Sequence, residues 1–484
     1  VIDIGSNSIR LVIFDITDGY PHPLFNERVF CGLGTGLGET GGLPQEAMDR
    51  AVAAILRFSR LARNNGVDRL EAFATSAVRD ATNGGELIAA IHSVTGCSVS
   101  TLDGQNEALL SAQAVQRGLH VEDGIVADLG GGSLELASLR HGKVSQMISL
   151  PLGTMRLQAR LSGDLAKMSK QISAALDDVD WLGKYAGKTL FPIGGAWRAF
   201  ARLKIKGSDY PLDIIHGYTI PPEDAVETAT MLAGLPKQSL MGLESVARQR
   251  RMSMPLTGQL LKELIERTKP ATVTFSAVGV REGYVYNHMP GDQIAEDPLA
   301  AGASAFSERE GRFRDTADSL LQWLSPVFSA ENHHRRRLQF AVCALSDIAW
   351  RDHPDYRASF AFDRTIEYPF FGIDHTERAF IALAVYLRYG GKTADARVAR
   401  IGSLLSKRAI RRAETLGFGL RLAYRISAGN PELLEQARLE IENEQLSLVL
   451  PGGGAAPAHE RVRRSFERLC QARKIKMGSI TEAK

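Results

Sequence analysis

Cysteine is scarce in this 484-residue chain. Cys31, Cys97, Cys343 and Cys470 stand far apart, and none belongs to a Cys-x-x-Cys pair. That excludes a disulfide scaffold and a cysteine-rich zinc site, and it suits a reducing cytoplasm. Long apolar runs are missing too. The longest, such as Phe380 to Leu387, fall well short of the ~20 residues that span a bilayer, so neither a transmembrane helix nor a membrane partner is expected. There is no Gly-x-x-x-x-Gly-Lys-Ser/Thr phosphate loop. The chain opens at Val1 inside a strand pattern, with no charged stretch ahead of an apolar one. No signal peptide is expected, and a start without Met implies that part of a natural N-terminus precedes it.

Net charge is only +3, but it is unevenly spread. Residues 301–484 hold 29 basic and 22 acidic residues, whereas residues 1–300 hold 29 and 33. Ten basic residues lie between Arg388 and Arg425, against Asp395 and Glu414. Such a stretch can attract polyanions, although taken alone a solvated helical face is the better reading.

Strand patterns at Val1–Asp15, Leu70–Ala74, Gly124–Leu139, Thr189–Ile193 and Thr272–Ala277 alternate with helical ones. The helical spacings cover Pro44–Asn65, Gly85–Thr95, Asp103–Gly118, Leu165–Leu182 and Pro222–Leu235. This alternation is an α/β signature. From about Ala303 to Ser427 long helical patterns dominate. A mixed tail follows, with a short helix at Pro431–Ala437, two strands within Leu439–Leu450, a Pro451-Gly-Gly-Gly linker and a basic helix at His459–Arg473. The expected domains are 1–120, 121–302, 303–428 and 429–484.

The most informative feature is an internal repeat at an offset of 125 residues. Val1-Ile-Asp3-Ile-Gly5-Ser6-Asn7-Ser8-Ile9-Arg10-Leu11 aligns with Val126-Ala-Asp128-Leu-Gly130-Gly131-Gly132-Ser133-Leu134-Glu135-Leu136. Each copy reads as a hairpin with an Asp-x-Gly-x-x-Ser turn. Small residues at such a tip let backbone N–H groups approach an anion, and Ser8 and Ser133 add hydroxyls. Asp3 and Asp128, at strand ends, can hold a hard cation directly or through water. One copy alone would be an ordinary turn. Two in register, each starting an α/β unit, read as a clamp on a phosphate chain.

These segments resemble the exopolyphosphatase and guanosine pentaphosphate phosphohydrolase family, part of the actin, sugar kinase and heat-shock ATPase superfamily. Besides the two hairpins, the matching segments are Ala74-Thr-Ser-Ala-Val-Arg79-Asp-Ala81, Ser149-Leu-Pro-Leu-Gly153 and Gly279-Val-Arg-Glu-Gly283. Two departures stand out. The family's Ser-Gly-x-Glu-Glu-Ala reads Asp103-Gly-Gln-Asn106-Glu107-Ala108 here, and its Gly-x-Gly-Gly reads Pro192-Ile-Gly194-Gly195. The resemblance implies duplicated ribonuclease H-like, actin-type domains, then an all-α domain of the His-Asp phosphohydrolase type and a small α+β C-terminal domain. In that helical domain the His-Asp pair reads Ser346-Asp347, so His333 and His334 are expected to be ordinary helix residues. The resemblance also implies a cytoplasmic homodimer.

The resemblance makes Glu107, in the first turn of a helix, the catalytic base that activates water. The competing reading is a capping glutamate. Asp128 and Glu135, seven apart across the second hairpin, are assigned to Mg²⁺, with Asp3 as a third candidate. A monovalent cation such as K⁺ is a candidate second ion. Arg79 is assigned to a phosphate because its planar fork matches phosphate oxygens. Ser6, Asn7, Gly130, Gly131, Gly132 and Ser133 complete the phosphate-binding set. The expected activity is release of terminal orthophosphate from inorganic polyphosphate, with Arg388–Arg425 holding the rest of the polymer. The close alternative is the 5′-phosphohydrolysis of guanosine pentaphosphate (pppGpp). Glu107 and the altered Gly194-Gly195 segment argue against a kinase of the same superfamily, retention of Glu107, Asp128 and Glu135 argues against a non-catalytic polyphosphate or RNA binder, and no specific nucleic-acid partner is expected.

Overall fold

The two copies of the repeat begin two sheets that share one strand order. The computed structural model describes residues 1–17, 19–161, 164–313, 316–328, 331–451 and 460–482. The first sheet contains β1 (Ile2–Ile4), β2 (Ser8–Thr17), β3 (Tyr20–Phe30), β4 (Ala72–Ala74) and β5 (Val99–Thr101), in the order β3-β2-β1-β4-β5. The second contains β6 (Gly124–Leu129), β7 (Leu134–Arg140), β8 (Lys143–Leu150), β9 (Thr189–Ile193), β10 (Tyr218–Ile220) and β11 (Thr272–Phe275). Its order, β10-β11-β9-β6-β7-β8, repeats the first sheet as β8-β7-β6-β9-β11 and adds β10 at one edge. In both sheets the first three strands form an antiparallel meander, and the next two join in parallel. This duplicated mixed sheet is an actin-like α/β fold.

The central strands are apolar on both faces because helices cover both faces. Ile2, Ile4, Ile125, Val126 and Ala127 are buried. On the first sheet, helix Gln45–Asn64 turns in Met48, Ile55, Phe58 and Ala62, part of the apolar row its spacing predicts. The second sheet packs against Trp197 and Phe200 of helix Gly195–Lys206 and Leu260, Leu261 and Leu264 of helix Met254–Thr268. Helix Gly104–Gly118 packs on β7 and β8 and crosses helix Val280–His288. A side chain at Gly283 would collide with the carbonyl of Leu110, so only glycine permits that crossing.

The chain divides into two compact units, Val1–Ile294 and Ala295–Lys484. The compositional change near Ala303 falls inside helix Pro298–Glu310, whose N-cap Asp297 is clamped by Arg337 at 2.8 and 2.9 Å. The second unit is mostly helical. Its small sheet orders β12 (Arg438–Glu442), β13 (Gln445–Leu450) and β14 (Lys476–Glu482) in sequence, and helix Glu460–Arg473 packs on helix Lys407–Ser427. The linker expected after Pro451 and the helix start expected at His459 lie outside the described residues. Among the described residues no helix is long and apolar enough to cross a membrane.

Candidate functional site

Both hairpins close their turns in the same way. The glycine N–H donates to the carbonyl of the serine three residues on, Gly5 to Ser8 at 3.2 Å and Gly130 to Ser133 at 3.0 Å. In each, the aspartate stands opposite the residue seven positions later, Asp3 opposite Arg10 and Asp128 opposite Glu135. Both tips open on one cleft of about 210 Å³, lined by Gly5, Ser6, Asn7 and Ser8 from the first and Gly130, Gly131 and Ser133 from the second. The tips nearly touch. A Cβ on Gly131 would lie 3.1 Å from the Cβ of Ser6, and one on Gly132 would press on Ser76. Gly132 is therefore the close-approach residue and is not among those lining the cleft. Ser6 and Ser76 bring their hydroxyls within 3.2 Å. Behind the second tip, the N–H groups of Thr154, Met155 and Arg156 donate to the carbonyls of Gly130 and Gly131 at 2.9–3.2 Å.

Three acidic side chains converge on the cleft from the second hairpin and helix Gly104–Gly118. Asp128 and Glu135 are direct cross-strand partners and so share a face. Asp128 accepts from Ser111 at 2.6 Å, and Glu135 accepts from Ser149 at 2.8 Å. Burial pushes Asp128 up, and burial plus the charge of Asp128 pushes Glu135 up. Glu107 is pushed up by burial and by Glu135, against the pull of Arg79. The helix that presents it is capped by Asp103, which accepts from the N–H of Asn106 at 2.7 Å. Asn106 returns a side-chain bond to Asp103 at 3.0 Å, so it occupies the capping position and absorbs the departure from the family pattern. Glu107 lies one residue further in; its backbone N–H donates to the Asp103 carbonyl at 3.0 Å, the first bond of the helix, and its carboxylate lines the cleft.

Arg79 is not among the residues lining the cleft. Its guanidinium donates to Glu107, to the carbonyl of Leu102 at 2.9 Å and to Asp80 at 3.1 Å. In this structure it is the counter-ion of Glu107. Asp3 lines the cleft, but its carboxylate accepts from Arg281 at 3.1 Å. Among the described residues, no group of three His, Cys, Asp or Glu side chains is arranged to hold a metal.

A group of arginines at the cleft was not read from the sequence as a set. Arg10, Arg28, Arg198, Arg250 and Arg281 all line the cleft. Arg10 and Arg28 are cross-strand partners on β2 and β3, an unfavourable pairing of like charges. Burial and mutual repulsion lower Arg10, Arg198 and Arg250. Guanidiniums stay charged, so these groups gain when an anion joins them. Gly195 leaves the space that Arg250 fills, and Gly194, at φ +93, brings the helix start onto Asp128 and Leu129. The sequence signal was partial: Arg10 and Arg281 sit inside quoted motifs, whereas Arg28, Arg198 and Arg250 come from three separate elements.

In the second unit the basic stretch divides. Arg388 is half-buried, held between the rings of Tyr389 and Tyr424, and reaches Asp347 at 3.5 Å, so its charge is engaged within the unit. Arg312 donates Nε and Nη2 to the two oxygens of the same Asp347, each at 2.8 Å. His334 lies 2.9 Å from Glu377. Arg408, Arg411 and Arg412 line a cleft of about 410 Å³ with Arg335, Arg473 and Lys474. Arg412 is committed to Glu331, at 2.6 and 3.0 Å.

Residues 12–291 match the Ppx/GppA phosphatase family. The chain belongs to that family. Residues 302–478 match the exopolyphosphatase C-terminal region. The chain is 26% identical over 437 residues to retrograde regulation protein 2 of Saccharomyces cerevisiae, covering 81% of this chain and 72% of that protein. It is 34% identical over 160 residues to exopolyphosphatase 1 of Mycobacterium bovis, covering 32% and 46%. Among solved structures, the Aquifex aeolicus member of the Ppx/GppA family superposes with a TM-score of 0.52 at 25% identity, covering 59% of this chain and 95% of that one. These similarities account for the duplicated fold and for the hairpins on which the cleft is built.

Proposed function

We propose that the chain is a phosphoanhydride hydrolase that removes terminal orthophosphate from inorganic polyphosphate. The observation that carries this reading is the meeting of both repeat hairpins, Glu107 and an arginine wall around one cleft. Family membership supports a phosphatase, and exopolyphosphatase relatives support the polymer as substrate. The lining favours a bare phosphate chain over a nucleotide. Among the described residues that line it, none is an aromatic on which a base could stack, and the apolar ones are Leu129, Met155, Ala196 and Val280.

Phosphoryl transfer needs charge screening and an aligned nucleophile more than covalent help. The hairpin N–H groups and the hydroxyls of Ser6 and Ser133 hold the terminal phosphate, and Asn7 adds a side-chain donor. Arg10, Arg28, Arg198 and Arg250 neutralise the phosphates that follow. Glu107 orients a water and accepts its proton as the oxygen attacks phosphorus. The bond to the bridging oxygen breaks, orthophosphate leaves, and the shortened chain keeps the electron pair on its new terminal oxygen. Burial and the Glu135 charge make Glu107 a stronger base than a surface glutamate; Arg79 opposes that rise without cancelling it, and a cation bound beside Glu135 would favour the ionised form.

A divalent ion suits the donor set. Asp128, half-buried, and Glu135, buried, are carboxylates side by side, and a cation between them favours their ionising together. Mg²⁺ is commonly bound through one or two carboxylates plus substrate phosphates and water. Asp128 and Glu135 are the proposed protein ligands, and Asp3 is left to Arg281. When bound, the ion would screen charge on the phosphate oxygens. Guanosine pentaphosphate presents the same phosphate end and is the alternative substrate. Comparing orthophosphate release from long polyphosphate and from guanosine pentaphosphate, with Mg²⁺, tests the reading. Faster release from the nucleotide would reverse the substrate order, and no release from either would remove the activity.

A further inference from the structure

Arg79 holds Glu107, and Arg79 is itself held. One carboxylate oxygen of Asp80 accepts from Arg79 Nε at 3.1 Å, and the other accepts from Arg156. Arg156 lies on helix Thr154–Leu161, and its backbone N–H donates to the carbonyl of Gly131 at 3.1 Å. A continuous polar chain therefore runs from the tip of the second hairpin through Arg156, Asp80 and Arg79 to Glu107. It crosses from the half built on the second sheet to helix Ser76–Asp80 of the other half and returns to helix Gly104–Gly118.

Two features set this chain apart from a surface ion pair. Its four side chains are 20%, 33%, 24% and 10% exposed, in the order Arg156, Asp80, Arg79, Glu107, so solvent screens it only partly. Neither Asp80 nor Arg156 lines the cleft, so neither touches the ligand. Arg79 would otherwise be free to choose between Glu107 and an incoming phosphate. With Nε fixed by Asp80, Nη1 is directed to both Glu107 and the carbonyl of Leu102.

We propose that Asp80 and Arg156 are positioning residues that couple the seating of a phosphate on the second hairpin to the placement of Glu107. This rests on the hydrolytic reading of the cleft. A ligand that loads the N–H groups around Gly131 moves that tip. The movement passes through the Gly131 carbonyl to Arg156, and through Asp80 to the Arg79–Glu107 pair. The base is thus set only when the hairpin is occupied.

The test uses the full chain with Mg²⁺ and inorganic triphosphate. Arg156→Ala and Asp80→Asn should each lower kcat about tenfold with KM changed less than about twofold, the pattern of lost orientation rather than lost binding. The double variant should be no slower than the worse single one, and Arg156→Lys should recover most of the rate. Rates near wild type, losses that multiply in the double variant, or a change in KM alone would overturn the proposal. A second readout needs no turnover. Hydrogen exchange at residues 76–81 should slow when triphosphate binds the wild type, and should not respond in Arg156→Ala although triphosphate still binds. The same response in both proteins, or none in the wild type, overturns the coupling. A wild type that hydrolyses no phosphoanhydride sinks the hydrolytic reading instead, and the exchange result still decides the relay. Should Arg156→Ala not fold, Asp80→Asn carries the same comparison.

Discussion

Gly194→Ala is a perturbation whose cost follows from the backbone. Gly194 sits at φ +93 and ψ 167, a region reserved almost entirely for glycine, and leaving it unrelieved costs about 1–3 kcal/mol. An added Cβ would also lie 2.5 Å from the Leu129 carbonyl oxygen and 2.8 Å from Asp128 Oδ1. Ordinary van der Waals contact is about 3.5 Å, so the end of β6 must retreat by roughly 0.7–1 Å. Overpacking of this kind adds about 1–3 kcal/mol. Together these give about 4 kcal/mol, or a fall in melting temperature of roughly 8 °C for a unit of this size. Because Asp128 moves with β6, phosphate release should fall about tenfold or more, since a displacement near 1 Å costs up to ~100-fold. Gly187→Ala is the control. Gly187 also has positive φ, +76, but nothing lies within 4 Å of its Cβ position. It should cost about 1–2 kcal/mol and leave the rate unchanged. Equal melting shifts for the two variants, or a Gly194→Ala enzyme of normal rate, would refute this account of the strand end.

Other outcomes follow from the same geometry. Pyrophosphate at about 100 times its Kd should stabilise the first unit by about 2.7 kcal/mol, read by thermal melting, and Arg198→Ala with Arg250→Ala should remove most of that gain; an undiminished gain would exclude the arginine wall from binding. Glu377 is pushed up to about 7 by burial and by Asp374, so the native state holds its proton where the unfolded chain has lost it. Its contribution is fully present below about pH 4.5 and is lost as pH rises through about 7, so Glu377→Gln should raise the urea midpoint at pH 8 more than at pH 5. An equal change at both pH values would contradict that sign. Reversing charge at Arg408 and Arg411 should weaken binding of long polyphosphate more than of short chains, measured by competition; equal loss at all lengths would exclude the second cleft as a polymer-holding surface.

The hairpins were legible because everything they need is local. Asp, Gly and Ser recur at fixed spacing, and the turn bonds of Gly5 and Gly130 close within four residues. The helix ends were less so. Apolar spacing carries the Leu165 helix to Leu182, yet the helix stops at Asp177, and Val179, Trp181 and Leu182 are buried from a loop and a 3₁₀ turn. Burial alone sustains the pattern after the helix has ended. The pairing of Arg79 with Glu107 was not legible, because the two stand 28 residues apart and a motif shows only near neighbours. Arg388 looked like channel charge because composition does not show two tyrosine rings enclosing it. The arginine wall is assembled by tertiary packing from residues spread between Arg10 and Arg281, and no window of sequence contains it.

The central claim is that the cleft uses Glu107 to hydrolyse the end of a phosphate chain. The most direct measurement compares wild type and Glu107→Ala in orthophosphate release from long polyphosphate, guanosine pentaphosphate and ATP with Mg²⁺, alongside polyphosphate binding. The account predicts fastest release from polyphosphate by the wild type, and none detectable from Glu107→Ala while binding persists. Undiminished turnover by Glu107→Ala, or a wild type inert toward all three, would contradict it.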